Sequence, residues 1–250
     1  MFRRVSLRER NRLMTAHLPN PVPMPFAPQS VLARAETADA RSDSHIITLC
    51  TAFHPERLRA EAFVEAAFAK AYDGIIRHHY PILMSVRDRS DTILAVAGFR
   101  FAALEPLFLE AYLDRSVEAT LAQHEQSAVR RHQIAEIGNL AASDQAQARG
   151  AAIFLFKALS EHLASKGLTY AVATATAPLR RLFSRVAFEI SEIAQAHPER
   201  LNNAADWGRY YDHDPRVLFG RISRCAAPLK EVRLPDLYAR LHMAATRKGE

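Results

Sequence analysis

From residue 45 onwards the apolar positions fall into short alternating runs and longer helical stripes, which predicts strands and helices in turn. Residues 46–52 read as a first strand. A helix follows His54-Pro55, with Leu58, Ala62, Phe63, Ala66 and Ala67 as its stripe, until Tyr72-Asp-Gly74 breaks it. Residues 82–87 and 92–102 are strands joined by the polar turn Asp88-Arg-Ser-Asp91, so they pair antiparallel. A helical stretch covers 117–128. Residues 133–140 form a strand with Ile134, Glu136, Gly138 and Leu140 on one face and Ala135, Ile137 and Asn139 on the other. After a polar turn, Ala152, Leu155, Phe156, Leu159 and Leu163 mark an amphipathic helix that ends at Lys166-Gly167. Residues 169–176 alternate, with Tyr170, Val172, Thr174 and Thr176 on one face. A helix with Pro178 in its first turn spans 178–187, and strands follow at 188–193 and 216–222.

This succession predicts one α/β (α+β) domain over 45–222, with a mixed, mostly antiparallel sheet flanked by helices. Pro19, Pro21, Pro23, Pro25 and Pro28 forbid regular structure before it, so 1–44 reads as a Pro-rich basic arm; 223–250 reads as a basic tail with a short helix over 234–244. The net charge of +6 sits at these ends, where seven arginines face four acids in 1–44 and seven Lys or Arg face three acids in 221–250. A nearly neutral middle argues against a nucleic-acid-reading face. The ends suit contact with an acidic partner, such as a carrier protein or, less favoured, an anionic membrane; plain solvation is the alternative. Two cysteines, Cys50 and Cys225, suggest no disulfide framework, and the opening residues lack the apolar region of a secretory signal. A cytoplasmic location is the expectation.

Three stretches carry candidate chemistry. Glu136 is a carboxylate in mid-strand, placed to take a proton, with a structural ion pair to Arg100 or Arg130 as the alternative. Gln147-x-x-Gly150-x-Ala152, with Arg149 and Ala151 between, opens a helix with small residues, where free amides attract a phosphate. Trp207, Tyr210 and Tyr211 line a pocket or pack a core. Asp212-His213-Asp214 beside His78-His79 invites a metal reading, but adjacent side chains do not face one ion and Asp214-Pro215 is turn chemistry, so no metal is expected.

The Gln147 to Ala152 pattern resembles the pyrophosphate-binding signature of the GNAT acyltransferases. Glu136-Ile-Gly-Asn-Leu-Ala141 and Trp207-Gly-Arg-Tyr-Tyr-Asp-His-Asp-Pro215 resemble the two signature blocks of the thermostable hemolysin family, itself similar to the acyl-homoserine lactone (autoinducer) synthases; the resemblance covers roughly 45–222. It implies a GNAT-like fold whose sheet splays at the central strands, with an acyl thioester of CoA or of the phosphopantetheine of acyl carrier protein entering the gap. It implies Glu136 as base, Asn139 with the backbone of Leu140 and Ala141 at the thioester carbonyl, and Arg100 beside them. Gln147, Arg149, Gly150, Ala151 and Ala152 would hold the phosphates. Glu110, Asp114, Thr174, Arg180, Trp207, Tyr211 and Asp212 would face a small-molecule amine, with S-adenosylmethionine, an amino acid and a polyamine all open. Autoinducer synthases carry serine and arginine where this chain has Gly138 and Asn139, and 178–187 lacks the tyrosine that GNAT enzymes use as acid. A membrane-acting cytolysin, as the family's name implies, and a thioester-binding module without turnover are the other readings.

Overall fold

The computed structural model describes residues 45–144 and 150–230. The arm over 1–44, the helix expected over 234–244, and Gln147 and Arg149 lie outside the described residues. Strands β1 (Ile46–Cys50), β2 (Ile82–Arg87), β3 (Ile93–Phe101), β4 (Ile134–Ala142), β5 (Tyr170–Ala175), β6 (Ser191–Gln195) and β7 (Arg216–Arg221) form a seven-stranded sheet in the order β1-β2-β3-β4-β5-β7-β6. Only the β4–β5 pair is parallel.

Helices cover both faces. On one lie α3 (Ala151–Ser165) and α4 (Ala177–Arg185), whose Leu155, Phe156, Leu159, Leu163, Leu179, Leu182 and Phe183 share a core with Met84, Val86, Phe99 and Leu218. Each large apolar side chain so buried contributes about 1.5–3 kcal/mol. Gly150 begins α3 at φ 87° and Gly167 follows its end at φ 77°, left-handed conformations that glycine adopts without strain. On the other face lie α1 (Arg57–Tyr72) and α2 (Val117–Glu125); Ser116 caps α2 by accepting from the amide of Ala119.

The inward face of α1 is not the expected one. Arg57, Ala60, Val64, Phe68 and Tyr72 are buried, whereas Leu58 is 76% exposed. The Arg57 guanidinium explains the rotation. It donates to the carbonyls of Cys50, Tyr80 and Pro81 and pairs with Glu61, which ties the start of α1 to the ends of β1 and β2. A charge-assisted anchor of this kind outweighs the burial of one leucine. The strand expected at 188–193 begins at Ser191, because Phe188 stacks on Phe183 and meets Phe156 edge-to-face before the chain reaches the sheet. The packed body also runs past 222: α5 (Ile222–Ala226) and the turn after it bury Ile222 and Leu229.

Candidate active site at the splayed strands

β4 and β5 pair only between Ile134–Ile137 and Tyr170–Ala173. Beyond them β4 stays with β3 and β5 stays with β7, so the two central strands part. A β-bulge marks the departure. Gly138 faces Gly98 and Ala141 faces Val96, which leaves Asn139 and Leu140 both opposite Ala97, and Asn139 takes φ 46°. Asparagine tolerates this left-handed conformation better than most residues. An extra residue shifts the alternation. Leu140 therefore turns into the α3 core, away from the face of Glu136 that simple alternation gives it, and Asn139 turns onto the Glu136 face.

A buried polar cluster occupies that face. The Tyr80 ring lies flat on the sheet where Gly98 and Gly138 leave room; a Cβ on Gly138 would come within 2.4 Å of the ring and one on Gly98 within 2.8 Å of the Tyr80 Cβ. The Tyr80 amide donates to Asn139 Oδ1 at 2.9 Å. The Arg100 guanidinium sits 4.6 Å from the Tyr80 ring centre and 3.8 Å from that of Phe108, a cation against two rings that meet each other edge-to-face at 5.2 Å. Its Nη1 meets Glu105 Oε2 at 3.1 Å and donates to the Pro106 carbonyl.

Glu136, 1% exposed, is opposite Arg100 in the β3–β4 register. Its two oxygens accept from the amides of Phe108 and Leu109 at 2.8 and 2.9 Å, at the start of the 3₁₀ turn Phe108–Tyr112. Arg100 Nε stands 3.6 Å away, an ion pair without a hydrogen bond; Arg130 is exposed and takes no part. Burial drives the Glu136 pKa up from 4.5 to about 7, against the opposing pull of Arg100, the two amides and the Tyr80 hydroxyl. The result is a carboxyl group that exchanges its proton near neutral pH.

Aromatic hydroxyls surround this group. Tyr112 and Tyr211 share a hydrogen bond of 2.7 Å between their hydroxyls, and burial pushes both phenols up. Trp207 and Tyr210 pack against Phe68 and Tyr72 of α1. Asn139 Nδ2, Thr174 Oγ1, Thr176 Oγ1, Trp207 Nε1 and the Tyr210 hydroxyl are buried without a hydrogen-bond partner, at a cost of about 1–3 kcal/mol each. Asn139 and Thr174 lie on the two strands that part, and Thr176 follows β5 as the residue before α4.

Other expected residues stand elsewhere. Glu110 is tied to Arg131 and to the amides of Leu107 and Val117; burial works against its ionisation, but these partners hold its carboxyl below the usual range. Asp114 is 87% exposed and pairs with Arg200. Arg180 donates to the Ala175 carbonyl and pairs with Asp214, while Asp212 is exposed. Gly150, Ala151 and Ala152 do form the N-terminus of α3, where no side chain among the described residues caps the helix. Sequence reasoning missed Tyr80, Phe108, Tyr112 and Thr176. The signal for Tyr80 was the pair Gly98 and Gly138, glycines on the face of two charged residues, where a sheet makes room for something laid across it.

Behind the sheet, on the α3 side, an apolar cavity of about 70 Å³ reaches the last paired residues of β4 and β5, Ile137 and Ala173. Phe156, Phe183, Phe188 and Leu218 form its walls.

The profile of the thermostable hemolysin family matches residues 50–226. No curated protein matches the chain. Among solved structures, the acyl-homoserine lactone synthase LasI is similar over 75% of this chain and 95% of its own, at 12% identity and a TM-score of 0.54. TofI in an apo form is similar over 73% and 95%, at 16% identity and a TM-score of 0.50. TofI in a ternary complex with an inhibitor and MTA is similar over 74% and 96%, at 15% identity and a TM-score of 0.50. These likenesses establish the GNAT-like fold.

Proposed function

We propose that this chain, which belongs to the thermostable hemolysin family, moves an acyl group from an acyl-CoA or acyl carrier protein thioester to the amine of a small molecule. One observation carries the reading: a carboxyl group with a pKa of about 7 stands on β4 beside the point where β4 and β5 part. The gap admits the pantetheine arm, the open amides at Gly150–Ala152 receive its phosphates, and the apolar cavity behind Ile137 and Ala173 receives the acyl chain. Asn139 Nδ2, without a partner in the free protein, donates to the thioester oxygen as it gains charge. The amine nitrogen attacks the carbonyl carbon, a C–N bond forms and the C–S bond breaks. Glu136 takes the proton from nitrogen, directly or through the Tyr80 hydroxyl, and that proton passes to the departing thiolate. The absence of a tyrosine from α4 leaves this return path as the source of the thiol proton.

A second reading, thioester binding without turnover, draws on the two amides that already occupy the Glu136 oxygens. Release of free thiol from a panel of acyl-CoA and acyl carrier protein donors, with and without a mixture of amines and amino acids, separates the two. Acceptor-dependent release that disappears in Glu136→Gln is the expected result. Donor binding with no release from any donor leaves the binding module standing and ends the transferase reading; red-cell lysis by the same preparation would favour the cytolysin.

A further inference from the structure

Arg100 is one cation set between two acids. Its guanidinium is 2% exposed, and its Nε stands 3.6 Å from Glu136 without a hydrogen-bond partner. Its terminal Nη1 lies 3.1 Å from Glu105 Oε2 and donates to the Pro106 carbonyl at 3.2 Å. A buried donor is rarely left open beside a buried acid, so the guanidinium is being held back.

The restraint comes from the 102–106 loop. Arg131 fixes that loop by donating to the carbonyls of Ala102 at 2.7 Å and Glu105 at 3.4 Å. The Tyr80 and Phe108 rings and the Pro106 carbonyl also touch Arg100, but among these contacts Glu105 alone brings a full charge. A cation shared with a second carboxylate stabilises the first one less.

The other groups around Glu136 do not disturb this balance. Burial holds the phenols of Tyr80, Tyr112 and Tyr210 well above their usual range, so they stay neutral while Glu136 titrates. Glu110 is ionised and spent on Arg131, which also takes Glu118. The neighbouring strand β5 places uncharged Val172 beside Glu136.

We propose that Glu105 is a positioning residue, whose carboxylate holds the Arg100 guanidinium back from Glu136 and thereby leaves Glu136 free to take the acceptor's proton. The use made of that proton rests on the acyl-transfer reading; the arrangement does not. A pKa of about 7 belongs to Glu136 with Arg100 held back. Without the Glu105 charge, Nε closes on Glu136, the ionised form gains, and the group becomes a weaker base.

Carboxyl NMR of the full-length protein with labelled glutamate reads the Glu136 titration directly, its resonance identified by its absence in Glu136→Gln. Glu105→Gln moves the Glu136 midpoint down by about one pH unit. Glu105→Ala, the second variant should the first not fold, moves it the same way. Glu105→Asp keeps the charge and stays within about 0.3 pH units of the wild type. In thiol release, the acid limb of kcat/KM for Glu105→Gln moves down with the midpoint, and its plateau falls about threefold. A midpoint that does not move or moves up, or an equal shift in Glu105→Asp, overturns the proposal. A lowered midpoint with no thiol release from any donor keeps the role of Glu105 toward Arg100 and sinks the transferase; an unmoved midpoint with thiol release intact sinks that role and keeps the transferase.

Discussion

Glu136→Gln is the most informative perturbation, because stability and catalysis respond to it with different dependence on pH. A carboxyl whose pKa rises from 4.5 in the unfolded chain to about 7 in the folded one binds its proton more tightly in the native state. The corresponding stability is present in full below pH 4.5 and is lost as pH rises through about 7. Its size is about 3 kcal/mol, at roughly 1.4 kcal/mol per pKa unit. Glutamine does not titrate, and it keeps one acceptor for the Phe108 and Leu109 amides while losing the other, at a pH-independent cost of about 1–3 kcal/mol. The variant is therefore less stable than the wild type at acid pH and draws level or passes it above neutrality. For a domain of this size the melting difference moves by about 6–12 °C between about pH 4.5 and pH 8. Differential scanning calorimetry at matched ionic strength reads it. A melting difference that stays constant across that range would refute the argument, since it would mean that Glu136 titrates alike in the folded and unfolded chain. The same carboxylate acting as base makes wild-type kcat/KM rise with pH through about 7, and the variant loses acyl transfer by about 10²–10⁴-fold.

Gly138→Ala drives a Cβ into the Tyr80 ring at 2.4 Å and costs about 1–3 kcal/mol in urea unfolding; in a Tyr80→Ala background the same change costs under about 0.5 kcal/mol. Asn139→Gly keeps the bulge but strands the Tyr80 amide, a loss of about 1–3 kcal/mol, and Asn139→Ala loses about 1–2 kcal/mol more because alanine resists φ 46°. Ala173→Phe fills the cavity behind the parted strands, so kcat/KM for long-chain acyl donors falls about tenfold or more relative to acetyl-CoA, measured by thiol release.

The strand and helix succession was legible because most elements carry a clear period, and the α3 stripe ends in glycine as a helix should. What failed was phase. On α1, alanines surround the helix, so the stripe through Leu58 looked as good as the one through Val64 and Phe68, and only a tertiary anchor at Arg57 decided between them. The site divides in the same way. Glu136 stood out as a charge within an apolar strand, and the aromatic residues from Trp207 to Tyr211 stood out as a cluster; Tyr80, laid over Gly98 and Gly138 beside Arg100, did not, because it precedes Pro81 outside any regular element.

The bulge at Asn139 sets which side chains share the face of Glu136. Apart from Glu136 and Asn139, residues 134–142 are small or apolar on both faces, so the apolar pattern carries no phase, and inserting one residue leaves the sequence looking like an uninterrupted strand. Yet that residue moves Asn139 to the side of Glu136, sends Leu140 into the α3 core, and coincides with the end of β4–β5 pairing. Gly98 and Gly138, facing each other one step before it, admit the Tyr80 ring whose amide holds the Asn139 side chain in place. The strained backbone and the laid-over ring therefore secure each other. Removing either one should close the gap between β4 and β5 before it disturbs the rest of the sheet, because every other strand pair retains its own ladder.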